Sequence, residues 1–277
     1  MKRIDTLVED IYKIVQDKGG WNSLLQVPIK NERQKARLRL SGLGPKCPKH
    51  FWHSINTPEL AEPLPPWAEI KYMFGHMVEA LAIELAKQAG HEVTGEQDEL
   101  VVDGVTGHRD CIIDGCVVDV KSSSSFGMAK FKDGSIEKDD PFGYLEQLDG
   151  YLIGSREDPL VRVKDKAYIL AVDKALGHVF LYEHTLRENI VHNRIAECKA
   201  ILSKNTPPPC TCKSVPDGKS GNMKLDMKAS YSPFKYCCFP NLRTFIYSSG
   251  PAYLSKVVRE PAVMEIDRYG NEISRPS

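Results

Sequence analysis

Apolar residues recur at helical spacing at the start of the chain. Ile4, Leu7, Val8, Ile11, Ile14 and Val15 predict an amphipathic helix over residues 4–17, stopped by Gly19-Gly20. A second helix is predicted over 22–40, with Lys30, Arg33, Lys35, Arg37 and Arg39 forming either a solvated face or a phosphate-contacting arm. Prolines and glycines make 41–66 loop-like, and Cys47 lies within that loop. Residues 67–89 read as a long helix whose apolar stripe is Ile70, Phe74, Met77, Val78, Leu81 and Leu85. The period then changes to strands. Leu100-Val101-Val102 predicts one, and Asp114-Gly115 between His108–Ile113 and Cys116–Lys121 predicts a β-hairpin. Residues 122–140, from Ser122-Ser123-Ser124-Ser125 to Asp139-Asp140, are polar and read as a gate beside the hairpin.

A helix opened by Pro141 follows over 141–154. The run Ala167–Asp173 is continuously apolar up to its last residue, as in a strand buried on both faces, with a neighbour at 177–184. A helix at 185–204 places Cys198 among Ile195, Ile201 and Leu202, in the core. Pro207-Pro208-Pro209 opens a stretch to about residue 228 that reads as a linker. The segment from Ala229 is aromatic-rich, and 257–277 reads as an extended tail with a turn at Tyr269-Gly270-Asn271.

The chain has 277 residues, enough for one large domain or a domain with an appendage. Lys+Arg and Asp+Glu are equal at 37 each, which argues against extensive wrapping by duplex DNA but leaves room for a local basic groove. No apolar run approaches the ~18 residues of a membrane span, so an intracellular, cytoplasmic protein that does not engage a membrane is expected. Eight cysteines in such a chain point to thiols or metal ligands rather than a disulfide framework.

The predicted hairpin carries the candidate chemistry. Asp119 and Lys121 share one face of their strand, while Val118 and Val120 point to the core. Asp110 lies on the neighbouring strand. Paired carboxylates on a rigid sheet suit Mg²⁺ or Mn²⁺, and a lysine beside them can position water or offset charge on a phosphate. On the long helix His76 and Glu79 are three apart and share a face, as either a surface pair or a metal ligand with its neighbour. Gln147 and Tyr151, four apart, are either a surface polar pair or a pair that contacts nucleic acid.

The succession Gly75-His76-X-X-Glu79, Gly107-X-X-Asp110, Asp119-Val120-Lys121 and Gln147-X-X-X-Tyr151 resembles the RecB-type branch of the PD-(D/E)xK nucleases over roughly residues 40–245. The resemblance implies an α/β fold: a restriction-endonuclease-like core with a mixed central sheet flanked by helices. That core is expected over 67–204, with an N-terminal helical arm and loop (1–66) and a C-terminal cysteine and aromatic segment with a tail (205–277). It implies that His76, Asp110, Asp119 and the carbonyl of Val120 bind Mg²⁺ or Mn²⁺. Lys121 would be the catalytic lysine, Glu79 an assisting catalytic residue, and Gln147 and Tyr151 the substrate contacts.

The activity implied is a bacterial or bacteriophage exonuclease acting on DNA, expected to be single-stranded, in recombination, repair or viral DNA processing. A helicase or recombination partner would supply any unwinding, since the chain has no P-loop. Two alternatives stay open: a catalytically idle nucleic-acid-binding or assembly subunit on the same fold, and an endonuclease using the same site. Many members of this branch also carry a four-cysteine iron–sulfur cluster. Cys47 and Cys238 match two of its ligand positions, but Ala229 and Ser232 stand at the other two. Cys210, Cys212 and Cys237 are the candidate substitutes. The segment therefore holds either a 4Fe–4S cluster, a tetrahedral Zn²⁺ or free thiols.

Overall fold

The structure is a computed structural model that describes residues 2–17, 25, 27, 36–44 and 46–274. The helices are α1 (Leu7–Gln16), α2 (Pro48–Asn56), α3 (Pro66–Gln88), α4 (Ser125–Lys132), α5 (Tyr144–Gly154), α6 (Glu188–Leu202), α7 (Met227–Ser230) and α8 (Lys235–Cys238). The strands are β1 (Val93–Thr94), β2 (Glu99–Val102), β3 (Val105–His108), β4 (Cys111–Ile113), β5 (Cys116–Ser123), β6 (Lys166–Asp173), β7 (Val179–Thr185), β8 (Ser214–Pro216), β9 (Met223–Leu225), β10 (Arg243–Tyr247), β11 (Gly250–Lys256) and β12 (Glu265–Ile266). They form two compact units. Leu38–Gly44 and Ile70–Ala196 join the N-terminal helix in the first, and Pro45–Glu69 with Glu197–Ser277 make up most of the second.

The first unit is built on a mixed sheet of order β1-β4-β5-β6-β7, with helices packed on it. Only β5 and β6 run parallel, and their connection carries α4 and α5. Ile169, Leu170 and Ala171 at the centre of β6 are fully buried, as the continuous apolar run requires. The β4–β5 turn has Asp114 at φ +52° and Gly115 at φ +80°, the pair of left-handed conformations of a type I′ hairpin. A Cβ on Gly115 would lie 2.5 Å from Arg162 Nε, so this position requires glycine. Asp114 also accepts from the Glu92 amide and bonds the buried His91 ring, tying the turn to the strand entering at β1.

Four expectations change in this unit. The strand expected over His108–Ile113 is divided. His108 ends β3, which pairs with β2 in a separate hairpin, and Cys111 begins β4. The break is fixed by Arg109, 1% exposed, whose guanidinium donates to Gly95 O, Ser155 Oγ, Asp98 and Asp158. A buried cation held on four sides dictates the local chain path more strongly than strand propensity does. Four of the six residues of the apolar stripe expected to seat α3 also face outward, while Leu85 packs against the core. Ile70, Phe74, Met77 and Leu81 are exposed, and the core contact is made by Ala82, Ile83 and Ala86 together with Leu7 and Ile11 of α1.

The polar stretch expected as a gate contains α4. Ser124 caps it by accepting from the Gly127 amide, and Met128 and Phe131 are buried as it packs on β6 and β7. Finally, the helix expected from Pro141 begins three residues later. Asp140 accepts from the Gly143 and Leu145 amides and so sets the start at Tyr144. The helix expected over 22–40 lies mostly outside the described residues; within its last part Arg39 bridges Thr106 and Leu40 opens a short 3₁₀ turn.

The second unit carries an antiparallel sheet of order β12-β10-β11-β9-β8. Two of its strands lie in the stretch expected as a linker and one in the expected tail. Asn222, 3% exposed, explains why the polar composition misled. Its side chain accepts from the Val258 and Arg259 amides and donates to Arg259 O, fastening the loop to the chain just beyond β11. The turn at residues 267–271 forms as expected, with Gly270 at φ +88° and Asp267 accepting from the Tyr269 and Asn271 amides. The loop expected at 41–66 contains α2, for which Pro48 is a favourable first helical residue. No helix among the described residues is long and apolar enough to cross a membrane.

Candidate active site

The ladder between β4 and β5 ends where Cys111 pairs with Val118. Beyond that point β5 continues through Asp119, Val120 and Lys121 with its partner β6 on one edge and, among the described residues, no strand on the other. Asp110 occupies this open edge, and its Oδ2 accepts from the Val120 amide at 2.7 Å. The carboxylate thus takes the hydrogen bond that a strand carbonyl would otherwise supply. Alternation sends Val120 into the core, 6% exposed, while Asp119 and Lys121 share the opposite face.

Asp119 is 1% exposed. Lys121 Nζ lies 2.6 Å from its Oδ2 in a short ion pair. Its Oδ1 accepts from Gln147 Nε2 at 3.1 Å, and the same amide donates to the Tyr151 hydroxyl at 2.7 Å. Gln147 and Tyr151 are therefore both buried, one helical turn apart on α5, and Tyr151 is 3% exposed. Lys121 Nζ also sits 5.1 Å above the Tyr144 ring, which stacks on Phe142 and Phe131.

From α3, Glu79 joins this cluster. Its Oε1 accepts from Gln97 Nε2 at 2.7 Å, and the Gln97 amide donates to Asp110 O at 3.1 Å. Gln97 holds φ +58°, a left-handed conformation unusual for a residue with a side chain. It links the first and second carboxylates, and nothing in the sequence around it signals this role. His76 lies on the solvent side of Glu79, 65% exposed, with Nδ1 4.0 Å from Oε2.

The charges are mutually strained. Burial, then the negative charge of Asp119, holds the Asp110 carboxyl well above the usual carboxylate range. Asp119 is pushed up by burial although Lys121 opposes the shift. Glu79 is also raised, by burial first and then by Asp119 against the counteracting His76. For Lys121 burial works downward, but the attraction of Asp119 and Asp110 outweighs it and the net shift is upward. Glu79, Asp110 and Asp119 thus bring carboxylate oxygens, the donor type that a hard divalent cation prefers, to one neighbourhood.

The second unit brings a different group together. The ligand atoms of Cys47, His50, Cys212 and Cys238 lie within 4.8 Å of one another. Cys210 is joined to Cys238 by a disulfide, a pairing the cysteine count did not suggest, and Cys237 is a separate, partly buried thiol. The hydrogen bond between the Cys47 and Cys212 thiols pushes Cys47 down to about 4 and Cys212 upward. His50 was not visible as a member from sequence, although its Cys-X-X-His spacing from Cys47 on one helical turn is a recoverable signal.

No family model matches this chain, and no curated protein matches it. Several solved structures are similar to it at a low level. An alkaline exonuclease from Laribacter hongkongensis is 16% identical with a TM-score of 0.31, over 50% of this chain and 62% of that one. A phage-related exonuclease from Haemophilus somnus 129PT is 15% identical with a TM-score of 0.42, over 61% of this chain and 93% of that one. The protein SSO0001 is 18% identical with a TM-score of 0.40, over 84% and 94% of the two chains. The chain spans less than two thirds of the length of the first of these. At this level of likeness none of them assigns a role to a residue here.

Proposed function

We propose that the first unit is a divalent-metal-dependent nuclease that hydrolyses phosphodiester bonds in DNA as an exonuclease on single strands. One observation carries the reading: Glu79, Asp110, Asp119 and Lys121 converge at the unpaired edge of β5. Asp110, Asp119 and the Val120 carbonyl, with His76 beside Glu79, would hold Mg²⁺ or Mn²⁺. Bound there, the cation supplies Lewis acidity toward the scissile phosphate and a more acidic water.

The chain's own groups do the rest. Lys121 is held as an ammonium by two carboxylates, so it acts as a donor that orients water or offsets charge on the phosphate rather than as a base. Gln147 fixes the rotamer of Asp119, and Tyr151 fixes Gln147. With Tyr151 buried, the exposed Phe142 and the neighbouring Tyr144 are better placed to meet a base.

The purified protein is expected to shorten end-labelled linear single-stranded DNA with Mn²⁺ or Mg²⁺, to be inert in EDTA, and to leave closed circles intact. Cutting of circles at the rate of linear strands would convert the reading to an endonuclease. Absence of metal-dependent cleavage from both would remove the nuclease reading.

A further inference from the structure

The metal centre that the sequence resemblance implies for the second unit does not fit the residues present. Two of the four expected cluster positions are Ala229 and Ser232, and Ala229 is buried in an apolar cluster with Leu225 and Leu242. The group that does converge is compact. Cys47 and Cys238 Sγ are 3.8 Å apart, and Cys212 Sγ lies 3.5 Å from His50 Nε2. A single tetrahedral zinc, with Zn–S ~2.3 Å and Zn–N ~2.0 Å, sets its ligands about 3.8 Å apart for two sulfurs and about 3.5 Å for sulfur and nitrogen. A four-iron cubane carries each thiolate on a different iron and holds its sulfurs farther apart.

The surroundings support a ligand role independently. His50 is 5% exposed, and among the described residues its ring bonds the Cys212 sulfur, a weak partner for a buried imidazole. The Thr211 amide donates to Cys47 Sγ at 3.4 Å, as amides do toward thiolates. Three segments supply the set: the first turn of α2, the extended stretch at 210–212, and the end of α8.

We propose that Cys47, His50, Cys212 and Cys238 form a mononuclear tetrahedral zinc site in the reduced protein, and that the Cys210–Cys238 disulfide is the alternative state in which one ligand is withdrawn. The Cys238 sulfur cannot serve both partners. Conversion to the zinc state needs a thiol reductant. A dithiol passes two electrons and two protons to the Cys210–Cys238 bond, becoming a disulfide itself and leaving two thiols. Zinc then displaces the protons of the coordinating thiols to solvent. The proposal stands apart from the nuclease reading, because none of its ligands belongs to the carboxylate centre.

The test uses the full chain, stripped of metal, reduced and kept anaerobic, and titrated with cobalt(II) and then zinc. The expected result is one tightly bound cobalt per chain with the intense visible bands of a tetrahedral thiolate site, displaced by zinc. These bands vanish in His50→Ala and Cys212→Ser and persist in Asp119→Asn and Cys210→Ser. Oxidation that re-forms the disulfide abolishes them in the wild type, whereas Cys210→Ser, which has no partner for Cys238, keeps them. X-ray absorption of the zinc-loaded wild type, which depends on no variant, is expected to show three sulfurs and one nitrogen. Four sulfurs, retention of the bands in His50→Ala, binding of several irons with sulfide, or no tetrahedral binding by the reduced chain would each overturn the proposal.

Discussion

Asp110 keeps a negative charge at neutral pH only against burial and the repulsion of Asp119 and Glu79. Because its folded pKa lies above the unfolded value, its contribution to stability is fully present below pH ~4 and is lost as pH rises through the folded pKa. Asp110→Asn keeps an acceptor for the Val120 amide and removes the charge. In EDTA the variant should match the wild type in stability near pH ~4 and be the more stable of the two at neutral pH. Denaturant melts across that range check this, and a variant less stable at neutral pH would contradict it. Gln147→Leu should act differently. It strands a buried Tyr151 hydroxyl and frees Asp119 to rotate. The expected cost is about 1–3 kcal/mol of stability. Cleavage and metal affinity should fall by about 10–100-fold. Steady-state rates alongside metal titration separate the two effects.

The β4–β5 hairpin was legible because Asp114-Gly115 carries its own conformational signal, and the face shared by Asp119 and Lys121 follows from period alone. The same signal stands at Asp103-Gly104, with φ of +48° and +74°, where it marks the β2–β3 hairpin. Other features were not readable from local pattern. The outward face of Ile70, Phe74, Met77 and Leu81 depends on which side of α3 meets the sheet, and periodicity identifies a stripe without saying what covers it. The bend at Arg109 depends on Asp158 and Ser155, far away in sequence. Gln97 and His50 join their sites through tertiary contacts. At this scale Gly143 offers a sharp test. It has φ +75°, and an added Cβ would lie 2.2 Å from the Gly44 Cα, a backbone atom that cannot move aside. Gly143→Ala should therefore cost more than about 2 kcal/mol, read by denaturant unfolding, whereas an unchanged midpoint would refute the close backbone crossing.

For the whole molecule, equal numbers of acidic and basic residues limit how DNA can be held. With the proposed nuclease, binding should rest on a few phosphate contacts. The slope of log affinity against log salt should then stay shallower than about −4, and a steeper slope would reveal an extended basic track. The account depends most on the convergence of three carboxylates with Lys121. Its most direct test compares the wild type with Lys121→Ala on end-labelled single-stranded DNA in Mn²⁺. The wild type should shorten the strand, and the variant should lose at least about two orders of magnitude in rate while its melting curve shows that it remains folded. Equal cleavage by the two proteins would show that the chemistry lies elsewhere in the chain.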